Sequence, residues 1–297
     1  MNETISFDAL MPAAMAAKAE DLGVKKAALP ALKMFDLAIL AGAFIGVGAI
    51  FATTVSAGSM AVKDAAGAAA FSTALPYGVT RLLAGLAFTV GLILVVVGGS
   101  ELFTGNNLIM MAFASKKVSL GGLLRNWGIV YLGNFVGSIV TAYIVFLGKQ
   151  YSFGNGAIGL TALGIGEAKT SFTFIQAVAL GIMCNVLVCM AVWMCYSARS
   201  TTDKILAIIP PIACFVAAGF EHSVANMYFI PVSLFIKGSG DTTFFTAIGK
   251  TAENFPHLTW GNFFFANLLP VTIGNIIGGA FMVGLIYWFI YLRKTAQ

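Results

Sequence analysis

Residues Gly219 to Met227 read G-F-E-H-S-V-A-N-M. Here Glu221, His222 and Ser223 set a carboxylate, an imidazole and a hydroxyl side by side. Sixteen uncharged residues (Ile205 to Phe220) precede them, and fourteen (Ser223 to Ile236) follow His222. An imidazole in such a place can donate a proton, partner an anion or ligate a metal. A metal wants further ligands at suitable spacing. The other histidine is His257, and Cys184, Cys189, Cys195 and Cys214 lie in or at the ends of apolar runs without a C-x-x-C. Neither a metal nor a cofactor is expected, and the thiols read as buried and free. An ionisable group at bilayer depth costs at least about 2.5 kcal/mol on insertion scales and usually faces a pathway or a partner. His222 therefore reads as an imidazole in a translocation path, with a satisfied structural histidine as the alternative.

The stretch has a counterpart. From Gly99 the chain reads G-S-E-L-F-T-G-N, and both copies take the form G-x-E-x-x-x-x-N. Gly99, Glu101 and Asn106 match Gly219, Glu221 and Asn226 at an offset of 120. Further on, Asn126…Gly133-Asn134-x-x-Gly137 matches Asn267…Gly274-Asn275-x-x-Gly278 at an offset of 141. A weaker match sets Phe35, Ala38 and Gly42 against Phe174, Ala177 and Gly181, offset 139. His222 has no equivalent in the first copy, where Leu102 stands. What the copies share reads as scaffold, and where they differ reads as chemistry. The two glutamates admit two uses: a carboxylate pair for acid–base work, or caps for free backbone N–H groups at broken helices. Capping is the reading preferred here.

These groups need elements to hold them. Only 10% of the residues are charged and 59% are hydrophobic, against about 25% charged in an ordinary soluble domain, so the chain is a polytopic membrane protein. Its uncharged runs are Leu37–Val62, Leu82–Ser100 with Leu102–Ser115, Asn126–Gly148, Thr170–Ala198, the run interrupted at Glu221 and His222, and Leu258–Leu292. A helix needs roughly 20 apolar residues to cross, so these predict six spans, the second and fifth broken, with the start of the last run left as loop. Three spans per copy is an odd number, so the second copy enters from the opposite face. The fold class is an all-α membrane protein with an inverted three-helix repeat. The chain divides into an N-terminal amphipathic segment (1–32), a first repeat (33–149) and a second repeat (169–293), all one channel domain. Met11 to Leu22 reads as a short helix on the membrane surface with Pro12 in its first turn, able to serve as anchor or lid. The N-terminus lacks the continuous apolar core of a signal peptide.

Of the seventeen Lys and Arg residues, eleven fall on the side holding both termini and six on the other. Both termini are therefore expected in the cytoplasm. The net charge of +5 follows from this bias and does not call for a nucleic-acid partner. No G-x-x-x-x-G-K-[ST] pattern occurs, so transport is expected to be passive or proton-linked. Phe88, Leu92 and Leu102 from the first broken span and Phe215 from the second are candidates for an apolar throat, with packing or a lipid face as the simpler use of each. Thr104 adds a hydroxyl. A narrow apolar throat around one imidazole suits a small monovalent anion of a weak acid; K⁺ would want rings of oxygen. Asn134, Asn185 and Asn275 lie within spans and need partners, between helices or in the pore; Asn185 is placed with the pore. Gly42-x-x-x-Gly46, Gly133-x-x-x-Gly137 and Gly274-x-x-x-Gly278 let helices approach closely.

These residues resemble the formate/nitrite transporter family, and its formate channels most. The likeness is carried by F-D-x-L-M-P-A-A-M-A (Phe7 to Ala16), E-L-F-T (Glu101 to Thr104), N-W-x-x-V-Y-x-G-N (Asn126 to Asn134), G-F-E-H-S-V-A-N-M and N-L-L-P-V-T-I-G-N-I-I-G-G (Asn267 to Gly279). The resemblance implies an aquaporin-like fold, a homopentamer in lipid with one pore per protomer, and an Ω-shaped loop at Glu101–Thr104. It implies His222 as the central histidine with Thr104 as its partner, constrictions at Phe88, Leu92, Leu102 and Phe215, and an anion-attracting role for Lys169. Lys26 and Asn275 match family positions too. Two departures stand out: Glu101 where formate channels often carry Asp, and a long connection from Ala57 to Thr80, expected outside the membrane. The function implied is a formate channel of the bacterial inner membrane. Nitrite or hydrosulfide on the same scaffold is the near alternative, and a non-transporting scaffold subunit a remoter one. The absence of an NPA motif at either break disfavours a water or glycerol channel.

Overall fold

The apolar runs become helices with identifiable stops. In a computed structural model, residues 8–57, 62–63, 69–71 and 75–293 are described. Phe7 and Lys294 lie outside them. Among the described residues six helices are long and apolar enough to cross a membrane: α2 (Ala31–Ala57), α3 (Tyr77–Gly98), α5 (Leu120–Leu147), α7 (Phe174–Ser197), α8 (Thr201–Ala218) and α11 (Trp260–Tyr291). Ser119, Thr173 and Ser200 cap α5, α7 and α8, each hydroxyl accepting a backbone N–H of the first turn. The last helix takes in almost the whole apolar run, so the loop expected at its start shrinks to the residues before Trp260. It absorbs the extra length in two wider, π-type stretches, Phe263–Leu268 and Ile277–Leu285.

The two broken spans continue as half-helices, α4 over 103–114 after α3, and α9 (Ser223–Lys237) after α8. At each break a glycine takes the left-handed conformation that side chains disfavour: Gly99 at φ 78°, ψ 33° and Gly219 at φ 79°, ψ 25°. Three residues on, Leu102 (φ −111°, ψ 125°) and His222 (φ −109°, ψ 115°) are extended alike. Backbone N–H groups then tie each break to the first helix of its own half. Glu101 donates to the Leu37 carbonyl and Glu221 to the Leu180 carbonyl, both at 3.2 Å. Leu37 is the seventh residue of α2 and Leu180 the seventh of α7. The repeat is inverted as its odd span count requires.

This pairing corrects the register of the first spans. Leu37 answers Leu180 at an offset of 143, and so do Ala38 and Gly181, whose carbonyls accept from Asn134 Nδ2 and Asn275 Nδ2, each at 2.8 Å. The sequence match of Phe35, Ala38 and Gly42 to Phe174, Ala177 and Gly181 was one helical turn out. Small residues recur every four positions on both helices, so a slip of one turn leaves the small-residue pattern almost unchanged. The close approaches follow the corrected register: a Cβ on Gly137 would run into the Ile39 carbonyl, and one on Gly278 into the Ile182 carbonyl.

The N-terminal helix α1 (Pro12–Ala27) runs five residues further than expected and is seated on protein. Met15, Ala16, Ala19 and Gly23 are buried, and Gly23 lies against Ile109 and Ala112 of α4. Lys18 Nζ donates to the Tyr196 carbonyl at 2.7 Å, and Glu20 pairs with Lys117. Within the 57–80 connection, Val62–Lys63 pairs antiparallel with Ala69–Phe71, and 58–61, 64–68 and 72–74 lie outside the described residues.

The stretches between α5 and α7 and between α9 and α11 contain two further helices, α6 (Ala157–Thr170) and α10 (Thr242–Ala247). Asp241 joins them. It accepts the Phe244 N–H at 3.0 Å and the Tyr151 hydroxyl at 2.8 Å. The Phe244 amide, then that hydroxyl, and Lys149 hold the Asp241 carboxyl below its usual range, while burial first, then Asp241, pushes Tyr151 up to about 12. A depressed carboxyl contributes stability above its unfolded value and loses it as pH falls through the folded one. Hydrogen exchange at the Phe244 amide, corrected for its intrinsic rate, should be flat from about pH 5 to 8 and accelerate below the ordinary aspartate range. Asp241→Asn should remove that acid limb, and an acid limb retained in the variant would disprove the role.

Candidate permeation site

At each break the backbone needs partners, and neighbouring helices supply them. Arg81 donates to the carbonyls of Ala217 (3.2 Å) and Val216 at the end of α8. The first free N–H of each half-helix goes to an asparagine from the third span of its own half: Phe103 N to Asn134 Oδ1 and Ser223 N to Asn275 Oδ1, both 2.9 Å. The same amides turn their Nδ2 onto the Glu101 and Glu221 carbonyls, each at 2.9 Å.

This overturns the capping role expected of the glutamates. Each sits one residue before the N-cap, and its carboxylate takes side-chain donors in place of the free backbone N–H groups of the half-helix it precedes. Glu101 Oε1 accepts from Lys26 Nζ at 2.6 Å, and Oε2 from Asn106 Nδ2 at 2.7 Å. Glu221 Oε1 accepts from Lys169 Nζ at 2.6 Å, and Oε2 from Asn226 Nδ2 at 2.7 Å. Asn126 and Asn267 close the two networks. Each accepts from the neighbouring Asn amide, at 2.9 and 2.7 Å, and donates back to the Lys26 or Lys169 carbonyl, at 3.1 and 2.8 Å. A buried carboxylate is tolerated at this depth because its charge is paired and its oxygens are hydrogen-bonded. Asn126 and Asn267 stood in the repeated motif without a role. Their recurrence seven residues before Gly133-Asn134 and Gly274-Asn275 is the available signal. Arg81 belongs to no repeated motif, so the sequence shows it only as a charge.

Between the breaks the halves meet at the side chains of Thr104 and His222. Thr104 Oγ1 lies 3.0 Å from His222 Nε2, and both residues are buried. The other ring nitrogen, Nδ1, accepts the Ala225 N–H at 3.0 Å, making His222 the cap of α9. An Nδ1 that accepts carries no proton, so the network assigns the ring proton to Nε2 and directs it at Thr104. Leu102 holds the same place before α4 without a side-chain cap. The half-helices start here and run outward to opposite faces, so their positive N-terminal ends converge on this bond.

Phe215 stacks on the imidazole at 5.9 Å and meets Phe88 edge-on at 5.7 Å. Leu92 and Leu102 lie on the other flank; all four are buried. A vestibule of about 650 Å³ opens on the side of α1 and is rimmed by Lys18, Lys25, Lys26, Lys33 and Lys204, with Leu92, Leu102 and Glu101 at its base. One of about 300 Å³ opens on the opposite side, with Arg81 and Lys169 in its wall and Phe88, Phe215 and His222 at its base. Asn185 borders neither. It lies behind Thr104, its Nδ2 reaching the Thr104 carbonyl and Asn107 Oδ1 (both 3.3 Å) and the Asn275 carbonyl (2.7 Å). Its placement with the pore is therefore corrected: three backbone and side-chain acceptors draw it into the scaffold.

The formate/nitrite transporter model matches residues 13–289. The chain belongs to the formate/nitrite transporter family. The Escherichia coli protein named formate channel FocA is 47% identical, with 97% of each chain covered. The Haemophilus influenzae protein of the same name is 40% identical over 99% of this chain and 98% of its own. A solved structure described as a pentameric formate channel with formate bound superposes with a TM-score of 0.80 at 47% identity, covering 89% of this chain and 98% of that one. Membership makes the chain a transporter, not an enzyme. The paired glutamates, which could have been read as acid–base catalysts, are scaffold in this fold.

Proposed function

We propose that the chain conducts formate across the bacterial inner membrane, passively or with a linked proton, as a homopentamer with one pore per protomer and both termini in the cytoplasm. The observation that carries this reading is the Thr104–His222 bond, set where two half-helix N-termini converge between apolar constrictions. Vestibule lysines draw the anion in. The apolar flanks strip its water, which would stop an ion with no compensation. At the centre the anion meets the Nε2–H of His222, the Thr104 hydroxyl and the positive ends of α4 and α9. His222, neutral with its proton on Nε2, lends the anion a hydrogen bond and keeps the proton; a weak-acid anion held there can take up a proton from vestibule water and leave as a neutral acid, which chloride cannot do. The relative solved as a pentameric formate channel with formate bound supports both substrate and assembly, and the Lys and Arg distribution supports the orientation.

Stopped-flow uptake into proteoliposomes should rank formate above nitrite and hydrosulfide, with chloride slowest, and the formate rate should rise as the pH falls from about 8 to 5, because the proton that the anion takes up comes from solution. His222→Ala and His222→Phe remove a hydrogen bond to a charged group, so formate flux should fall by about tenfold or more and lose that pH dependence. Wild-type flux from both variants across the range would rule out a central role for His222. Faster nitrite or hydrosulfide than formate would reassign the substrate on the same scaffold.

A further inference from the structure

Away from the pore, a cavity of about 500 Å³ opens sideways between α4, α5 and α11 in the half of the membrane nearest α1. Leu123, Trp127, Ile276, Leu285 and Trp288 line it. Both indole N–H groups are used elsewhere: Trp127 Nε1 donates to the Asn106 carbonyl at 3.0 Å and Trp288 Nε1 to Ser115 Oγ at 2.8 Å. The groove therefore presents ring faces and aliphatic carbon with no hydrogen bond to offer, a surface for hydrocarbon. From Ile276 to Trp288 it follows twelve helical steps that include the wider π-type stretch Ile277–Leu285, so it spans less than the roughly 18 Å of a regular α-helix. That is close to half of a bilayer core roughly 30 Å thick.

The mouth is basic. The three elements around it end or begin at the same face, placing Lys116 just after α4 and Arg293 just after α11. Lys116 is exposed and makes no ion pair among the described residues. Arg293 is exposed and rests over the Phe289 ring at 4.6 Å. Lys117, beside them, is already paired with Glu20 and Asp21. We infer that this groove holds one acyl chain of an anionic phospholipid, with its headgroup phosphate between Lys116 and Arg293. The match of groove length to one leaflet and the two uncommitted cations at its mouth select a lipid of that charge over a neighbouring protein helix.

Tryptophan fluorescence tests this directly, because two of the chain's four tryptophans line the groove. The full chain would be reconstituted in phosphatidylcholine vesicles carrying an equal fraction of either brominated phosphatidylglycerol or brominated phosphatidylcholine. Each exposed cation favours an anionic headgroup by about fivefold, so the anionic lipid should quench more strongly. That excess should vanish in Trp127→Phe/Trp288→Phe and in Lys116→Glu/Arg293→Glu. Ala114→Phe, which adds bulk at the groove wall, should reduce quenching by both lipids. Equal quenching by the two lipids in wild type would leave only ordinary annular contact and overturn the proposal. So would an excess that survives charge reversal. Quenching by neither lipid would mean that a neighbouring subunit fills the groove, and would equally overturn it.

Discussion

Lys169→Ala should destabilise the channel by about 3–5 kcal/mol, because it leaves a buried carboxylate without its cation. Glu221 keeps only 3% of its side chain exposed and Lys169 16%, so water cannot replace the lost charge. The same change on the other side, Lys26→Ala, should cost less. There the lysine side chain is 30% exposed and the Glu101 side chain 7%, and the carboxylate keeps Asn106 Nδ2 with solvent close by. Thermal unfolding of the detergent-solubilised protein measures both. Lys169→Ala/Glu221→Gln removes both charges together and should recover much of the loss while keeping the amide contacts with Asn226 and Asn267. Equal losses from the two lysine variants, or no recovery in the double variant, would show that burial of the pair does not set its energetic weight.

A single methyl group at Gly278 or Gly137 should prevent the bundle from closing. Each would place carbon against a backbone carbonyl of the facing helix, that of Ile182 or Ile39, and a backbone carbonyl cannot turn aside as a side chain can. Overpacking costs about 1–3 kcal/mol where neighbours relax, and more where they do not. Gly278→Ala and Gly137→Ala should therefore yield little folded protein on extraction. Gly128→Ala is the control on the same helix as Gly137: nothing lies within 4 Å of its Cβ position, and helix propensity alone favours alanine by up to about 1 kcal/mol. If Gly128→Ala and Gly137→Ala gave equal yields, close backbone approach would not be what the glycine at 137 provides.

The six spans and both breaks were legible because hydrophobicity and interrupting charge are local properties, and the G-x-E-x-x-x-x-N repeat marked which interruptions belong together. His222 stood out by lacking a repeat partner. Three features were not legible, each for a geometric reason. The register of the first spans slipped by one turn because small residues recur at helical spacing. The capping reading of the glutamates fails because position before a helix is visible in sequence while side-chain direction is not; the Phe103 and Ser223 N–H groups go to Asn134 and Asn275, 31 and 52 residues further along the chain, and His222 itself takes the Ala225 N–H. Asn185 looked like a pore residue because an amide in a span needs a partner, and the sequence does not tell a carbonyl on the next helix from a permeating ion.

The cap that His222 Nδ1 makes with the Ala225 amide bears on which ions the pore can short-circuit. An imidazole relays a proton along a file of donors by receiving it on one nitrogen and releasing it from the other. Here the second nitrogen faces a backbone amide of its own half-helix, which has no lone pair to accept a proton. Any proton that leaves Nε2 must be replaced at Nε2. The ring can serve each passing anion from that one atom, but it is a dead end for a proton wire, so a proton crosses only as part of a weak acid and never as a free relay through the imidazole.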